Sequence, residues 1–224
     1  MRRADAIIAV SEAIAAELRE AALPSVHVLP NIVDGAEVNR VASDPATFTL
    51  PDRFVLFVGK LEANKGARDL IPAMVQAKTS WPLVVLGSGS LERAIREQAE
   101  KHRVEVHLPG WADRDDVLRA MKRAEALVFP STWPEPLSRV LLEALALGTP
   151  IAAMDTGGTS ELIEDGISGL LAHDTGQLGD ALSRIVHDAA LRSRLKEGAS
   201  SRALAFSPEA LIPRYEALYR GSTR

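Results

Sequence analysis

Short apolar runs without polar alternation recur along the chain, at Ala6–Val10, Val26–Leu29, Phe54–Val58, Leu83–Leu86, Val104–Leu108, Ala126–Phe129 and Ile151–Met154. Most are rich in branched or aromatic residues, and Gly, Pro, Ser or Asp marks their ends. A strand buried on both faces reads this way, because neither side meets water. The stretches between them keep a helical period. In Leu91–His102 the apolar Leu91, Ala94, Ile95 and Ala99 fall three and four residues apart. In Asp113–Ala124 the pattern is Val117, Leu118 and Met121, with Asp113 placed to cap. Leu137–Leu147 ends at Gly148, as helix C-termini often do. From Gly176 onward only helical patterns follow, through Leu178–Val186, Ala190–Lys196 and Pro208–Tyr219.

Alternating strand and helix predicts an α/β fold, a Rossmann-like parallel sheet with helices on both faces. Right-handed crossovers gather the strand exits along one edge, where open α/β sheets bind ligands. Asp34–Asp52 has no clear period and carries Gly35, Asn39, Ser43, Pro45 and Pro51, so it reads as a linker. It separates a short N-terminal piece, with two strands and one helix, from a compact domain over 53–205. Two strands cannot bury a sheet face alone, so that piece is expected to pack on another element.

Composition narrows the class. The chain has 224 residues, 46% hydrophobic and 25% charged, the balance of an ordinary globular protein. At ~100–200 residues per domain, this allows one large domain or one domain and part of another. With 26 Lys and Arg against 30 Asp and Glu, the formal net charge of −4 gives no electrostatic footprint for nucleic acid. No Cys is present, which removes disulfides, thiolate nucleophiles and zinc–thiolate sites. Met1-Arg2-Arg3 before Ala6–Val10 imitates a signal peptide, but the apolar run falls short of the ~7–15 residues required. Nor does any run approach the ~18 needed to span a bilayer. A cytoplasmic location is the default expectation, with peripheral contact at the inner face of the membrane left open.

Four strand exits carry candidate chemistry. After Phe54–Val58 comes Gly59-Lys60 through Lys65-Gly66, where two lysines at a strand-to-helix turn could meet an anion or simply be solvated. It is not a Walker A loop, which needs a Gly separated by four residues from Gly-Lys and a Ser or Thr after it. Gly87-Ser88-Gly89 would let backbone approach a ligand, though a plain turn reads the same. Pro109-Gly110-Trp111 is again turn-like. The fourth exit, Pro130-Ser131-Thr132-Trp133-Pro134-Glu135-Pro136, leads into an apolar helix with Pro136 suited to its first turn. Glu135 just before that helix and Glu143 within it would stand ~12 Å apart on a continuous helical rise. That exceeds the ~5–9.5 Å of a glycosidase carboxylate pair. It suits two contacts at opposite ends of an extended ligand whose phosphates lie on the helix N-terminus. Taken singly, Glu135 is equally a helix-dipole charge and Glu143 a solvent-facing residue.

In their order, these segments resemble the retaining glycosyltransferases of family four (glycosyl transferases group 1), which have the GT-B architecture of two facing Rossmann-like lobes. The Glu-x7-Glu motif is matched by Glu135 and Glu143, preceded by Phe129-Pro130-Ser131 and followed by Ala144 through Ile151. Gly157-Gly158-Thr159-Ser160-Glu161 and Asp165-Gly166-Ile167-Ser168-Gly169-Leu170 come next. The phosphate loop resembles Phe57 through Gly66, with Leu86-Gly87-Ser88-Gly89 after it. Ala4 through Ser11 and Leu29 through Asp34 resemble the end of the N-terminal lobe. Lys60 stands where the family usually has Arg, Leu137-Ser138 where it has Phe-Gly, and Ile32 where it has Gly.

The resemblance implies a division into 1–52 (a remnant of the N-terminal lobe and a linker), 53–205 (a donor-binding domain) and 206–224 (a C-terminal helix returning toward the N-terminal lobe). It implies a nucleotide-diphosphate sugar as donor and a glycan or lipid-linked acceptor. Lys60 and Lys65 would neutralise the leaving diphosphate, with Glu135 at the donor sugar. Backbone at Leu137, Ser138, Arg139 and Val140 would hold the distal phosphate, and Glu143 the ribose. Gly59, Gly87 and Gly89 would permit close approach, and Gly110 would present backbone to the base. No metal and no cofactor is expected. Most of the acceptor lobe, with its His near the donor sugar, is not found. The five His, at 27, 102, 107, 173 and 187, have no ligand-like spacing. The chain alone is therefore expected to bind donor without turnover, needing an acceptor-lobe partner chain or a homo-oligomer. A non-catalytic nucleotide-sugar module, a split-enzyme subunit or a GT-B sugar-nucleotide epimerase are the competing readings.

Overall fold

The computed structural model describes residues 5–221. The expectations for Met1–Ala4 and for the end of the 206–224 segment lie outside them. The N-terminal piece contains β1 (Ile7–Ala9), α1 (Glu12–Glu20) and β2 (Val26–Val28), with β1 and β2 paired in parallel. Then come α2 (Gly35–Val41), β3 (Val55–Val58), α3 (Leu70–Ala77), β4 (Leu83–Leu86), α4 (Glu92–His102), β5 (Val106–Gly110) and α5 (Arg114–Arg123). The remaining elements are β6 (Ala126–Phe129), α6 (Arg139–Ala146), β7 (Ile151–Met154), α7 (Thr159–Leu162), β8 (Leu170–Ala172), α8 (Thr175–His187), α9 (Ala189–Ala203) and α10 (Pro208–Gly221).

A six-stranded parallel sheet has the order β5-β4-β3-β6-β7-β8. The chain enters at the centre, winds outward to β5, returns beside β3 and winds outward the other way. The reversal falls between β3 and β6, so a crevice opens at their carboxyl ends. Side chains of successive residues go to opposite faces. Leu56, Val84, Leu127 and Ile151 join Leu118, Met121, Leu141 and Leu145 on one side. Val55, Phe57, Val85 and Val128 join Leu70, Met74, Leu178 and Leu182 on the other. All of these residues are buried. This is why the strands carry no polar alternation.

Four expectations need correction. Part of the supposed linker is α2, capped by the Asp34 carboxylate accepting the Glu37 N–H at 3.0 Å. Asn39, which looked like a breaker, donates from its side chain to the Gly35 and Ala146 carbonyls, both at 3.0 Å. β8 (Leu170–Ala172) is a sixth strand of the sheet that lay outside the expected strand runs, because its three residues are too few to show a period; beyond Gly176 only helices follow, as expected. β5 runs to Gly110, two residues beyond the expected end, so Pro109-Gly110 is strand rather than turn. Finally, α6 starts at Arg139 with Ser138 as N-cap, which leaves Pro136 and Leu137 outside the helix.

The N-terminal piece does pack on other elements. The Glu161 carboxylate of α7 accepts the N–H groups of Glu12 (2.7 Å) and Ala13 (2.9 Å), closing the first turn of α1 from across the fold. The Tyr215 hydroxyl of α10 lies 3.1 Å from the carbonyls of both Leu29 and Pro30. Charge-assisted bonds to orphan helix amides are short and strong. Glu161→Ala should therefore release the Glu12 and Ala13 amides to fast hydrogen exchange while central-sheet amides stay protected. Unchanged protection at Glu12 and Ala13 would contradict this.

Candidate functional site

The exits of β3 and β6 form one structure. Beyond β3 the chain turns through Ala63–Lys65 and reaches Gly66 at φ +68°, where a Cβ would lie 1.8 Å from the Pro130 carbonyl oxygen. Thr132 and Trp133 donate their backbone N–H groups to the Asn64 carbonyl at 3.2 and 3.0 Å. The Lys65 ammonium is ion-paired with Glu135, and the buried Ser131 hydroxyl lies 2.9 Å from the same carboxylate oxygen. The Glu135 carbonyl accepts the Gly158 N–H at 2.8 Å, which brings in the exit of β7. Lys65 and Glu135, assigned from sequence to different parts of the ligand, thus touch each other.

Beside this cluster lies a pocket of about 330 Å³ lined by Gly59, Lys60, Gly87, Ser88, Trp111 and Val117, among others. Lys60 is exposed, and Trp111 is 77% exposed at the rim. Two of the glycines expected to admit ligand also admit neighbouring backbone. A Cβ on Gly87 would meet the Gly59 carbonyl oxygen at 1.9 Å, and one on Gly89 the Leu61 carbonyl oxygen at 2.5 Å. Gly87 N–H donates to the Gly110 carbonyl at 2.8 Å, so the exits of β3, β4 and β5 are stacked backbone on backbone. Glu62 ties this stack to Ser90, accepting its N–H at 2.9 Å and its hydroxyl at 2.7 Å. Those bonds, with Lys60 nearby, hold the Glu62 carboxyl below the usual carboxylate range.

The N-terminus of α6 faces the same crevice edge. Ser138 caps it by accepting the Leu141 N–H at 3.4 Å. The N–H groups of Arg139 and Val140, in the first turn, have no intrahelical acceptor. Leu137 is buried, and its carbonyl accepts a long bond from the Asn31 side chain at 3.5 Å. The ~12 Å helical estimate for Glu135 and Glu143 does not apply, since the chain between Glu135 and Ser138 is not helical.

Glu143 does not face solvent; it is 7% exposed, and its Oε1 accepts a hydrogen bond from Arg114 Nε at 2.8 Å. Sequence reasoning passed over Arg114. A signal was there: with Asp113 as cap, Arg114 is the first helical residue of α5, where the helix dipole disfavours a cation. A local conflict of that kind points to a tertiary partner. Among the described residues, no group of three or more His, Asp or Glu could hold a metal ion. Nor is any described helix long and apolar enough to cross a membrane.

Residues 42–202 match the family described as "Glycosyl transferases group 1". The chain is 31% identical over 212 residues to a glycogen synthase of Mycobacterium tuberculosis, covering 90% of this chain and 50% of the relative. It is 29% identical to an alpha-D-kanosaminyltransferase of Streptomyces kanamyceticus, covering 89% of this chain and 56% of that protein. The chain thus spans about half the length of the curated relatives it matches. Among solved structures, HepE of Anabaena in complex with UDP superposes with a TM-score of 0.84 at 20% identity, over 97% of this chain and 64% of that one. Sucrose-phosphate synthase of Thermosynechococcus elongatus gives 0.80 at 27% identity, over 97% and 58%. The sheet and its helices are the Rossmann-like arrangement of those two structures.

Proposed function

The chain belongs to the glycosyl transferases group 1, and from that we propose that it is the donor-binding half of a retaining glycosyltransferase using a nucleotide-diphosphate sugar. One observation supports this most: at the β3–β6 switch point the Lys65–Glu135 pair, the exposed pocket residue Lys60 and the open first turn of α6 all lie at the carboxyl edge of the sheet. A base would lie toward Gly110 and Trp111, and Glu143 would accept ribose hydroxyls. The diphosphate would lie between Lys60 and the amides of Arg139 and Val140. Lys60 and Lys65 then meet the charge that develops as the diphosphate leaves, Lys65 after exchanging Glu135 for phosphate. A Lys at position 60 does this as a point charge, without the bidentate grip of Arg. Glu135, released from Lys65 as the phosphate draws the ammonium away, would face the donor sugar. The reading requires no resident metal.

UDP, GDP and ADP, with their glucose conjugates, form the testing panel in thermal-shift and titration experiments. Only a ligand that binds the folded state raises the melting temperature. One base should stand out, and Glu143→Ala should weaken it by ~10–100-fold, the scale of hydrogen bonds to a charged group. If no member of the panel binds at millimolar concentration, the donor assignment falls. On this reading residues 1–224 bind donor without transferring it, because the acceptor is gripped by a second face that these residues do not supply. Efficient transfer to a glycan or lipid-linked acceptor by these residues alone would show that they hold the acceptor face as well.

A further inference from the structure

We propose that Arg114 is a positioning residue that holds Glu143 to receive ribose, and so makes the site selective for nucleotides with free 2′ and 3′ hydroxyls. The inference rests on the donor reading above. Arg114 engages one carboxylate oxygen, Oε1, through Nε rather than gripping both oxygens with the guanidinium fork. Oε2 has no partner among the described residues and is not sealed from solvent. The pair is graded from inside to outside: the Glu143 side chain is 9% exposed and that of Arg114 48%. A carboxylate fixed by one oxygen and open at the other is arranged to accept a further donor from the pocket side. That side is close, since Trp111 and Val117, three residues to either side of Arg114, both line the pocket.

Charge supports the same role. The guanidinium occupies one carboxylate oxygen of Glu143 and leaves the lone pairs of the other free for hydroxyl donors. Arg114 also lies within electrostatic reach of Glu37 on α2. The cation therefore answers to two carboxylates, Glu143 by contact and Glu37 at longer range, against the preference of its own helix for anions. Its placement is unfavourable for the local helix and is explained by what it does to Glu143.

The experiment compares the tightest binder of UDP, GDP and ADP with its 2′,3′-dideoxy analogue by titration calorimetry. Arg114→Ala should weaken the ribonucleotide about tenfold, the scale of one hydrogen bond at a charged group. The dideoxy analogue should change less than about twofold on the same scale. In Glu143→Gln the loss on adding Arg114→Ala should vanish, because Arg114 acts through that carboxylate. Arg114→Lys, which keeps the charge but not the Nε bond, should fall between and supplies the comparison if the Ala variant does not fold. Equal losses for both ligands, or no loss for either, overturn the proposal while leaving the donor reading intact. If the unaltered chain binds no nucleotide, the donor reading falls, and this proposal with it.

Discussion

Gly66→Ala is expected to lower the melting temperature by about 10 °C and to abolish nucleotide binding. At φ +68° an L-residue bears left-handed strain of ~1–2 kcal/mol. The added Cβ would in addition sit 1.8 Å from the Pro130 carbonyl oxygen. Nothing there is the flexible end of a side chain, so two backbones must part, and overpacking of this kind costs ~1–3 kcal/mol or more. For a chain of this size each kcal/mol shifts the transition by ~2–4 °C. Binding fails for a separate reason: parting the loops pulls Lys65 from Glu135 and Asn64 from Thr132 and Trp133. Gly35→Ala is the control, since a Cβ there meets nothing within 4 Å. A melting temperature for Gly66→Ala within about 3 °C of the parent would show that the loops are not interlocked as described, given the same scaling.

Asp116→Ala is expected to cost about 2–3 kcal/mol at neutral pH. Asp116 is 5% exposed and accepts the Thr47 N–H at 3.0 Å, the Thr47 hydroxyl and Arg119 Nη1 at 3.1 Å. Removing it strands those donors, and each buried group left unsatisfied costs ~1–3 kcal/mol. The pH dependence has a definite sign. Burial pushes the carboxyl up, but the two bonds from Thr47, with Arg119, outweigh it and hold the group below its ordinary value. A carboxyl depressed in the folded state contributes stability above its unfolded pKa of ~4 and loses it as pH falls through the folded value. Urea unfolding at pH 7 and pH 3 should therefore show the parent losing its advantage over Asp116→Asn as acid is added. A constant gap between the two would contradict the assignment. Taking the difference cancels the other depressed carboxyls, Glu37 and Glu62.

The central strands were legible because both faces of the sheet are covered. Residues such as Phe57 and Val128 have no solvent side to betray with a polar neighbour. β8 was not legible: Leu170-Leu171-Ala172 is an apolar triplet, and its pairing with β7 rather than any period makes it a strand. α2 was hidden for the opposite reason. Its seven residues include Gly35 and Asn39, poor helix formers, and it stands through its cap and through Asn39 reaching Ala146, 107 residues away. At the site, the residue types and their strand exits could be read from local order. Which of them touch could not, because Lys65–Glu135 and Arg114–Glu143 span 70 and 29 residues. Motif spacing records which loops meet, not which side chain reaches across.

The contact of Gly66 with Pro130 also bears on how this lobe could be redesigned. Two loops that meet backbone to backbone have no slack, so an inserted residue in either must displace the other. Shortening is barred as well, since Asn64 anchors both Thr132 and Trp133. Loop grafting, the usual route to a new ligand preference in an α/β scaffold, is closed at this crevice. What remains adjustable are side chains that project from the frame without holding it, chiefly Lys60, Trp111 and Trp133. Libraries confined to those positions should keep the fold while varying the ligand.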